Sequence, residues 1–259
     1  MLDTVRGLRH LVGLGNSAPS ALPTVFHVTH HKAGSQWINR IFHALTYERM
    51  VMPEVENVQF LGKPIVQGAV YPTVYVTREQ FDSVAVPKDS RRFVVVRDIR
   101  DTLVSLYFSL RYTHPVLHER IQNRRSALAE LSPEDGLVYL IETQLTGIAQ
   151  FQWSWANARE ELIRYEDLLE RDEEILARVL LRKCRLGVDP GRFHEVVAAN
   201  RFEARTGGRK PGQEDLGSHE RKGVSGDWRN HFTEKVTKAF KRLYGSVLIA
   251  TGYEKDFNW

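Results

Sequence analysis

The sequence has little cysteine and no long apolar run, and each absence excludes a class of protein. One cysteine, Cys184, is present among 259 residues, which excludes an intramolecular disulfide framework and fits a reducing, cytoplasmic compartment. No run of about 18 apolar residues occurs, so no membrane span is expected. Residues 1–22 carry a short apolar patch without a convincing cleavage site, and we expect a loose N-terminal arm there instead of a secretion signal.

Metal ions and nucleic acids are also disfavoured. The 36 Lys and Arg residues are intermingled with 32 Asp and Glu residues and form no basic stripe with stacking aromatics, so nucleic acid is not expected as a partner. The ten histidines do not fall at metal-ligand spacing, since His30 and His31 are adjacent. His114 and His118 are separated by Pro115, which disfavours a shared helical face. The formal net charge of +4 still favours an anionic partner.

Apolar, β-branched segments alternate with segments of helical periodicity. This alternation predicts a single α/β domain over residues 23–259, with a central parallel β-sheet flanked by helices. The predicted strands are 24–30, 73–78, 91–98 and 161–167. The predicted helices are 35–47, 101–112 with Asp101 as its cap, about 134–158, one ending near Leu186, 190–200, and one within 233–253. Residues 205–227 are rich in glycine and charge and are predicted to be a loop, which at that length is usually functional or disordered.

Unusual residues follow the predicted strands. The segment HHKAGSQ, residues 30–36, comes after the first strand, Arg97 ends a later strand, and Tyr165 ends the strand after that. Ligands of parallel sheets bind at the carboxyl ends of the strands, where a turn into a helix presents backbone N–H groups to an anion. The phosphate loop G-x-x-x-x-G-K-[ST] is not matched, because its first glycine and its lysine position are lacking. An ordinary ATPase or GTPase is therefore disfavoured.

Four motifs resemble, in order, those of the cytosolic-type sulfotransferases. They are HKAGSQW from His31, VVVRDIRDTLVSLYFS from Val94, IRYEDLL from Ile163 and RKGVSGDWRNHF from Arg221. The first is similar to the family's P-K-[SA]-G-[ST]-[ST]-W and departs at His31 and Gln36. The last is similar to R-K-G-x-x-G-D-W-K-N-H-F and departs at Arg229. The resemblance implies the P-loop-kinase-like sulfotransferase fold and transfer of a sulfuryl group from 3'-phosphoadenosine 5'-phosphosulfate (PAPS) to a small-molecule hydroxyl or amine, without a metal.

The resemblance also implies which residues bind the donor nucleotide. The 5'-phosphosulfate would lie on the turn Lys32, Ala33, Gly34, Ser35, Gln36 and Trp37, with Lys32 neutralising charge on the bridging oxygen. The 3'-phosphate would be enclosed by Arg97, Ser105, Arg221, Lys222 and Gly223. The adenine would contact Trp37, Phe202 and Tyr165. Core packing of Trp37 and Phe202, and a strand-capping role of Tyr165, are alternatives that the sequence leaves open.

The family's general base has no counterpart in this chain. Its catalytic histidine lies about 22 residues before the 3'-phosphate arginine, and that position is Tyr75 here. Candidates to replace it are His31, which stands where the family usually has proline, then Glu79, and then His114 or a further residue. Because the histidine is missing, a nucleotide-binding protein without catalysis is one alternative function, and an ATP-dependent kinase-like phosphotransferase is the other.

The oligomeric state is not predicted. The family's dimerisation segment maps onto residues 229–238, and this chain departs from it at Arg229, Glu234 and Lys238. A dimer formed through this segment is therefore not expected.

Overall fold

The computed structural model describes residues 22–158 and 160–259. The N-terminal arm predicted over residues 1–22 therefore lies, apart from Leu22, outside the described residues. In the described part of the chain, no helix is long and apolar enough to cross a membrane.

Four strands of the described chain form one parallel sheet in the order β2-β1-β3-β4. They are β1 (Thr24–Val28), β2 (Val70–Val74), β3 (Ser90–Val96) and β4 (Leu162–Arg164). The helices are α1 (Ser35–Thr46), α2 (Val58–Leu61), α3 (Arg78–Asp82), α4 (Ile99–Phe108), α5 (Glu119–Glu130), α6 (Pro133–Thr143), α7 (Thr146–Ala156), α8 (Tyr165–Leu176), α9 (Pro190–Ala199), α10 (Phe202–Arg205) and α11 (Glu234–Ala250). Helices α4 and α8 continue as π-helical segments, Ser109–Thr113 and Ala177–Lys183. Short 3-10 turns cover Tyr47–Arg49, Val55–Asn57 and Asp227–Asn230.

Both faces of the sheet are covered, which explains why its inner strands are apolar along their whole length. Successive side chains of a strand point to opposite faces. Phe93 and Val95 of β3 enter a cluster with residues of α1, α8 and α9. Val94 and Val96 enter the opposite cluster, which includes Trp155 of α7. The predicted parallel sheet flanked by helices is confirmed.

The predicted strand 73–78 is wrong in position, because β2 covers Val70–Val74. Pro72 lies inside β2 and is tolerated because β2 is an edge strand of the sheet, where one row of N–H groups has no partner strand. A helix begins directly afterwards, at Arg78. The Thr77 hydroxyl and the Gln80 side chain form a reciprocal capping box that fixes this start.

The predicted cap of helix α4 is also wrong. The Asp98 carboxylate accepts a hydrogen bond from the Arg100 N–H and caps the helix, which begins at Ile99. The Asp101 carboxylate instead accepts the N–H groups of Gly226 and Trp228, at 2.6 and 2.8 Å. Asp101 therefore fastens helix α4 to the end of the long loop.

The helix predicted over about 134–158 is divided in two. Helix α6 ends at Thr143 and α7 begins at Thr146. The two residues between them include no proline or glycine, so the sequence carries no signal for the break. Helix α5, Glu119–Glu130, was not predicted. The predicted loop is confirmed, since residues 206–226 form no helix or strand.

The long loop is folded around the side chain of Arg209. Its guanidinium donates to the carbonyl oxygens of Gln213 and Arg221, at 3.1 and 3.0 Å, and to the Ser218 hydroxyl at 3.0 Å. The same guanidinium lies over the Phe202 ring, 5.1 Å from its centroid. These contacts give the loop a defined path although it has no regular secondary structure.

The last residues of the chain close a clamp around Arg100. The Arg100 side chain is 2% exposed, and its guanidinium lies over the perpendicular indole rings of Trp228 and Trp259, 3.9 and 4.5 Å from the ring centroids. Its guanidinium forms ion pairs with Asp98 at 2.7 Å and with Glu254 at 2.6 Å. A buried charge is costly unless it is paired, so this clamp depends on both carboxylates.

A second contact links the same C-terminal segment to the end of the sheet. The Tyr253 hydroxyl donates to Glu166 at 2.7 Å, and the other carboxylate oxygen of Glu166 accepts the Asp98 N–H at 3.1 Å. Asp98 follows directly on Arg97. Residues 253–259 therefore help to hold the carboxyl end of β3.

Candidate active site

The turn between β1 and α1 has a backbone that few residues adopt. Lys32 and Gly34 have positive φ angles of 68° and 80°. A Cβ atom at Gly34 would lie 2.8 Å from the Tyr165 ring, so the turn approaches that ring too closely for any side chain. Helix α1 then begins at Ser35 without a side-chain cap, which leaves its first N–H groups free for an external acceptor.

The turn forms one wall of a cavity of about 480 Å³ at the carboxyl ends of the strands. The sequence-predicted residues that line it are His31, Lys32, Gly34, Ser35, Gln36, Trp37, Arg97, Ser105, Tyr165, Phe202, Arg221, Lys222, Gly223 and His114. Residues from four separate motifs therefore meet in one cavity, as parallel-sheet topology requires.

Two predicted site residues do not reach the cavity. Ala33 is fully buried beneath the turn, and its N–H donates to the His30 carbonyl at 3.4 Å. Glu79 lies exposed in the first turn of helix α3 and does not line the cavity. The strand expected to end next to Glu79 ends at Val74 instead, and a helix capped by Thr77 and Gln80 carries Glu79.

Lys32 and Arg97 carry positive charges without a carboxylate partner. Arg97 is 9% exposed, donates to the Lys32 carbonyl at 3.0 Å and lies over the Tyr165 ring at 4.7 Å. Its buried Nε has no hydrogen-bond partner. Among the described residues, no acceptor lies within hydrogen-bond distance of the Lys32 ammonium and no carboxylate lies within 4.0 Å of either cation. Uncompensated buried cations indicate that the cavity is built for an anion.

Positive charge on Lys32 is already costly before any ligand binds. Burial, and to a smaller extent the nearby cations Arg97 and Arg221, lower the pKa of Lys32 to about 8. A bound anion would relieve both effects, because it stabilises the ammonium form.

Arg221 and Lys222 differ from these two cations because they are paired. The buried Asp227 carboxylate accepts from Arg221 at 2.5 Å and from Lys222 at 2.6 Å, and Arg221 also contacts Glu214. Asn230 donates to the same carboxylate at 2.9 Å. Asp227 therefore orients both cations at the cavity wall.

Aromatic rings supply flat surfaces in the same cavity. Trp37 and Tyr165 meet edge to face, with ring centroids 6.4 Å apart. Gly223 has a φ of 64°, and a Cβ atom there would lie 2.6 Å from the Phe202 ring. Trp37 and Phe202 are both half-buried and border the cavity, so neither is a pure core residue.

His30 and Gln152 hold the Arg97 backbone, a role that the sequence did not suggest. The His30 Nδ1–H donates to the His31 carbonyl at 2.9 Å, so its Nε2 accepts, and the Arg97 N–H lies 3.3 Å away. Gln152 donates to the Arg97 carbonyl at 2.6 Å. Burial lowers the pKa of His30 to about 3, which keeps the ring neutral. Gln152 comes from helix α7, which no motif marks as part of the site.

Tyr75, which stands where the family has its catalytic histidine, contributes to the site in a different way. The Tyr75 hydroxyl donates to the Ser35 hydroxyl at 2.8 Å, and the His31 ring lies against the Tyr75 ring, with centroids 4.1 Å apart. Burial raises the pKa of Tyr75. Tyr75 therefore supports the anion-binding turn and is neutral at ordinary pH. His219, from the long loop, is a further cavity residue that the sequence did not single out.

Comparisons with known proteins bear on the family and the fold of the chain. The family model for the sulfotransferase domain matches residues 22–252. No curated protein matches the sequence. The solved structures that match include mouse sulfotransferase SULT7A1 complexed with PAP, with 18% identity, a TM-score of 0.59 and coverage of 87% of this chain and 84% of that chain. They also include retinol dehydratase in a complex with retinol and PAP, with 18% identity, a TM-score of 0.51 and coverage of 88% and 82%.

The two kinds of comparison carry different weight. At 18% identity the solved structures show a shared fold, which confirms the predicted sulfotransferase fold. The family model covers most of the chain and includes all four sequence motifs. The chain therefore belongs to the sulfotransferase family.

Proposed function

We propose that this chain transfers a sulfuryl group from PAPS to a hydroxyl or amine of a small-molecule acceptor. The observation that carries the proposal is the pair of uncompensated cations, Lys32 and Arg97, in one cavity at the carboxyl ends of the strands. The donor has two separate anionic groups, a 5'-phosphosulfate and a 3'-phosphate, and each needs its own cation and N–H donors.

The proposed roles follow from where the residues lie. The turn from Lys32 to Trp37 holds the 5'-phosphosulfate through free N–H groups, with the Ser35 hydroxyl as an added donor. Lys32 neutralises the charge that develops on the bridging oxygen as the S–O bond breaks. Arg97 and Ser105 bind the 3'-phosphate, together with Arg221, Lys222 and the close backbone of Gly223. Trp37, Phe202 and Tyr165 border the adenine.

Single-turnover transfer of labelled sulfate tests this function. PAPS is mixed with the protein and a panel of phenols, alcohols and amines, and a parallel reaction contains labelled ATP with Mg²⁺. We expect label on an acceptor from PAPS alone. Label from ATP alone would indicate the kinase-like alternative, and tight PAPS binding without transfer would indicate a binding protein. The kinase-like alternative would need an acidic ligand for Mg²⁺ beside the turn. In the described part of the cavity wall the one carboxylate is Glu220, which is paired with Arg40 at 3.0 Å.

The two-anion arrangement predicts selective stabilisation by nucleotides. Adenosine 3',5'-bisphosphate should raise the Tm clearly, because it fills both anion positions, whereas 5'-AMP should raise it much less. Differential scanning fluorimetry over a range of nucleotide concentrations measures both shifts. Equal shifts would contradict a dedicated 3'-phosphate site.

Arg97→Ala should weaken binding of adenosine 3',5'-bisphosphate by about 1.5 to 3 kcal/mol, because a charge-assisted contact is lost. Isothermal titration calorimetry measures the change. Arg91→Ala is the matched control, since Arg91 lies at the other end of β3 and pairs with Asp89. Unchanged affinity in the Arg97 variant would make Arg97 a structural residue.

We also propose that residues 23–259 act as one sulfotransferase domain and that the protein is cytoplasmic. The location is supported by the single cysteine, Cys184, which is buried and forms no disulfide.

A further inference from the structure

Three imidazole rings border the cavity near Lys32. His31 comes from the turn after β1, His219 from the long loop, and His114 from the residue that follows the π-helical segment Ser109–Thr113. His31 lies close enough to Lys32 and His114, and His219 close enough to the same two residues, for their charges to interact. The sulfuryl end of the proposed site therefore has several nitrogen atoms that could accept a proton.

The His114 ring is held in one tautomer. Its Nδ1 lies 2.8 Å from the Pro115 carbonyl oxygen, which can only accept, so Nδ1 carries the hydrogen. In a neutral ring Nε2 then has a free lone pair, and no described residue forms a hydrogen bond with it. This is the arrangement that proton-accepting histidines use, with one nitrogen fixed by a backbone oxygen and the other open to a ligand.

The backbone of His114 is also fixed. Its N–H donates to the Ser109 carbonyl at 2.7 Å and ends the π-helical segment. Its carbonyl oxygen accepts from Arg125 of helix α5, which also donates to the Leu110 carbonyl at 3.1 Å. π-Helical segments are uncommon and are often found at functional sites. Here the segment carries His114 to the edge of the cavity.

His31 is less suited to accept the proton. Its ring forms no hydrogen bond with the described residues and rests on Tyr75. A proton on His31 would place a second positive charge beside Lys32, and burial together with Lys32 lowers the pKa of His31. The ring of His219 also forms no hydrogen bond with the described residues, so its tautomer is not set.

Resting on the proposed sulfuryl transfer, we propose that His114 is the general base, with Nε2 accepting the proton of the acceptor. The acceptor oxygen forms a bond to sulfur as its O–H proton moves to Nε2. The bond between sulfur and the bridging oxygen breaks, and its electron pair stays on the 5'-phosphate of adenosine 3',5'-bisphosphate. The imidazolium then releases its proton to water.

The test measures kcat against pH for two variants that remove the base in different ways. His114→Asn places an amide N–H near the position of Nδ1 and keeps the bond to Pro115, whereas His114→Gln places its amide near Nε2. Each should lower kcat by about 10²-fold at neutral pH, with the affinity for adenosine 3',5'-bisphosphate nearly unchanged. The acceptor is the member of the panel that wild-type protein sulfates fastest.

The shape of the pH profile separates a base from a structural residue. A general base accepts a proton only in its unprotonated form, so wild-type kcat should rise with pH, and this rise should be absent in both variants. The titratable and charged groups around His114 are His31, His219 and Arg125, so His31→Gln is measured in parallel and should keep the rise. His118→Gln, an exposed histidine four residues further on, should match wild type.

Two outcomes overturn the assignment. If either His114 variant keeps the rise of kcat with pH, or if His31→Gln removes it, His114 is not the base. A wild-type protein that transfers no sulfate to any acceptor would instead overturn the proposed function, and the assignment with it.

Discussion

Lys32→Met should lower kcat for sulfuryl transfer by about 10³-fold while weakening the binding of PAPS far less. The ammonium acts on charge that appears on the bridging oxygen only as the S–O bond breaks, so its loss raises the barrier more than it reduces ground-state binding. Methionine keeps the length of the side chain without the charge. Single-turnover transfer with labelled PAPS measures kcat, and calorimetry measures binding.

Lys222→Met is the matched control for this prediction. Lys222 lines the same cavity, but Asp227 neutralises its charge at 2.6 Å and it belongs to the proposed 3'-phosphate site. We expect this variant to weaken nucleotide binding more than it lowers kcat. Equal losses of kcat in the two variants would contradict a special role of Lys32 at the breaking bond.

The pH dependence of nucleotide affinity gives a second test of the role of Lys32. Because burial lowers the pKa of Lys32 to about 8, the free protein loses the ammonium charge as pH rises through that value. The affinity for adenosine 3',5'-bisphosphate should therefore fall above about pH 8 in the wild-type protein and stay more nearly constant in Lys32→Met. If the affinities of the wild-type protein and Lys32→Met fell in parallel with pH, this explanation would be wrong.

Asp227→Asn should lower the free energy of unfolding by about 3 kcal/mol. Asp227 is 3% exposed and neutralises Arg221 and Lys222, so the amide leaves two partly buried cations without their counter-ion. Urea unfolding followed by circular dichroism measures the change. Glu214→Gln is the control, because Glu214 contacts the same Arg221 from an exposed position and should cost less than about 1 kcal/mol.

The loss of unfolding free energy in Asp227→Asn should depend on pH in a defined direction. Burial alone would raise the pKa of Asp227, but the His231 ring, 3.3 Å from the carboxylate, and hydrogen bonds from Lys222 and Arg221 outweigh burial and hold the pKa well below its usual value of 3.8. Such a carboxylate contributes its full stability above that value and loses it progressively at lower pH. The difference in unfolding free energy between wild type and Asp227→Asn should be constant near neutral pH and should become smaller below about pH 3.8. A difference that widens there would contradict the ion-pair explanation.

The turn after β1 and the carboxyl end of β3 could be predicted because their signals are local. A buried strand followed by a glycine turn and an amphipathic helix predicts an anion site, and Lys32 and Arg97 both lie in such places. Their lack of a carboxylate partner could not be predicted. Pairing depends on which acids the tertiary fold brings near, and the fold brings Asp227 to Arg221 and Lys222 instead.

Glu79 and His114 show why candidate bases are harder to predict than binding residues. Glu79 follows the predicted strand 73–78, but Thr77 and Gln80 cap a helix there, and this change of element type moves its carboxylate out to solvent. His114 is singled out by the hydrogen bond from its ring to the Pro115 carbonyl. That bond depends on the path of the chain after the π-helical segment, which the sequence does not give. Sequence spacing alone does not record side-chain orientation.

The clamp around Arg100 has a consequence for synthesis on the ribosome. Arg100 is made about 160 residues before Trp259, whose indole covers it. Contacts this distant in sequence form late and slow the folding of the chain. Glu166 stays without Tyr253, and Arg100 without Glu254, until residues 253–259 have left the exit tunnel. The carboxyl end of β3, next to Arg97, therefore gains its full set of supporting contacts only after this segment has folded back onto the sheet.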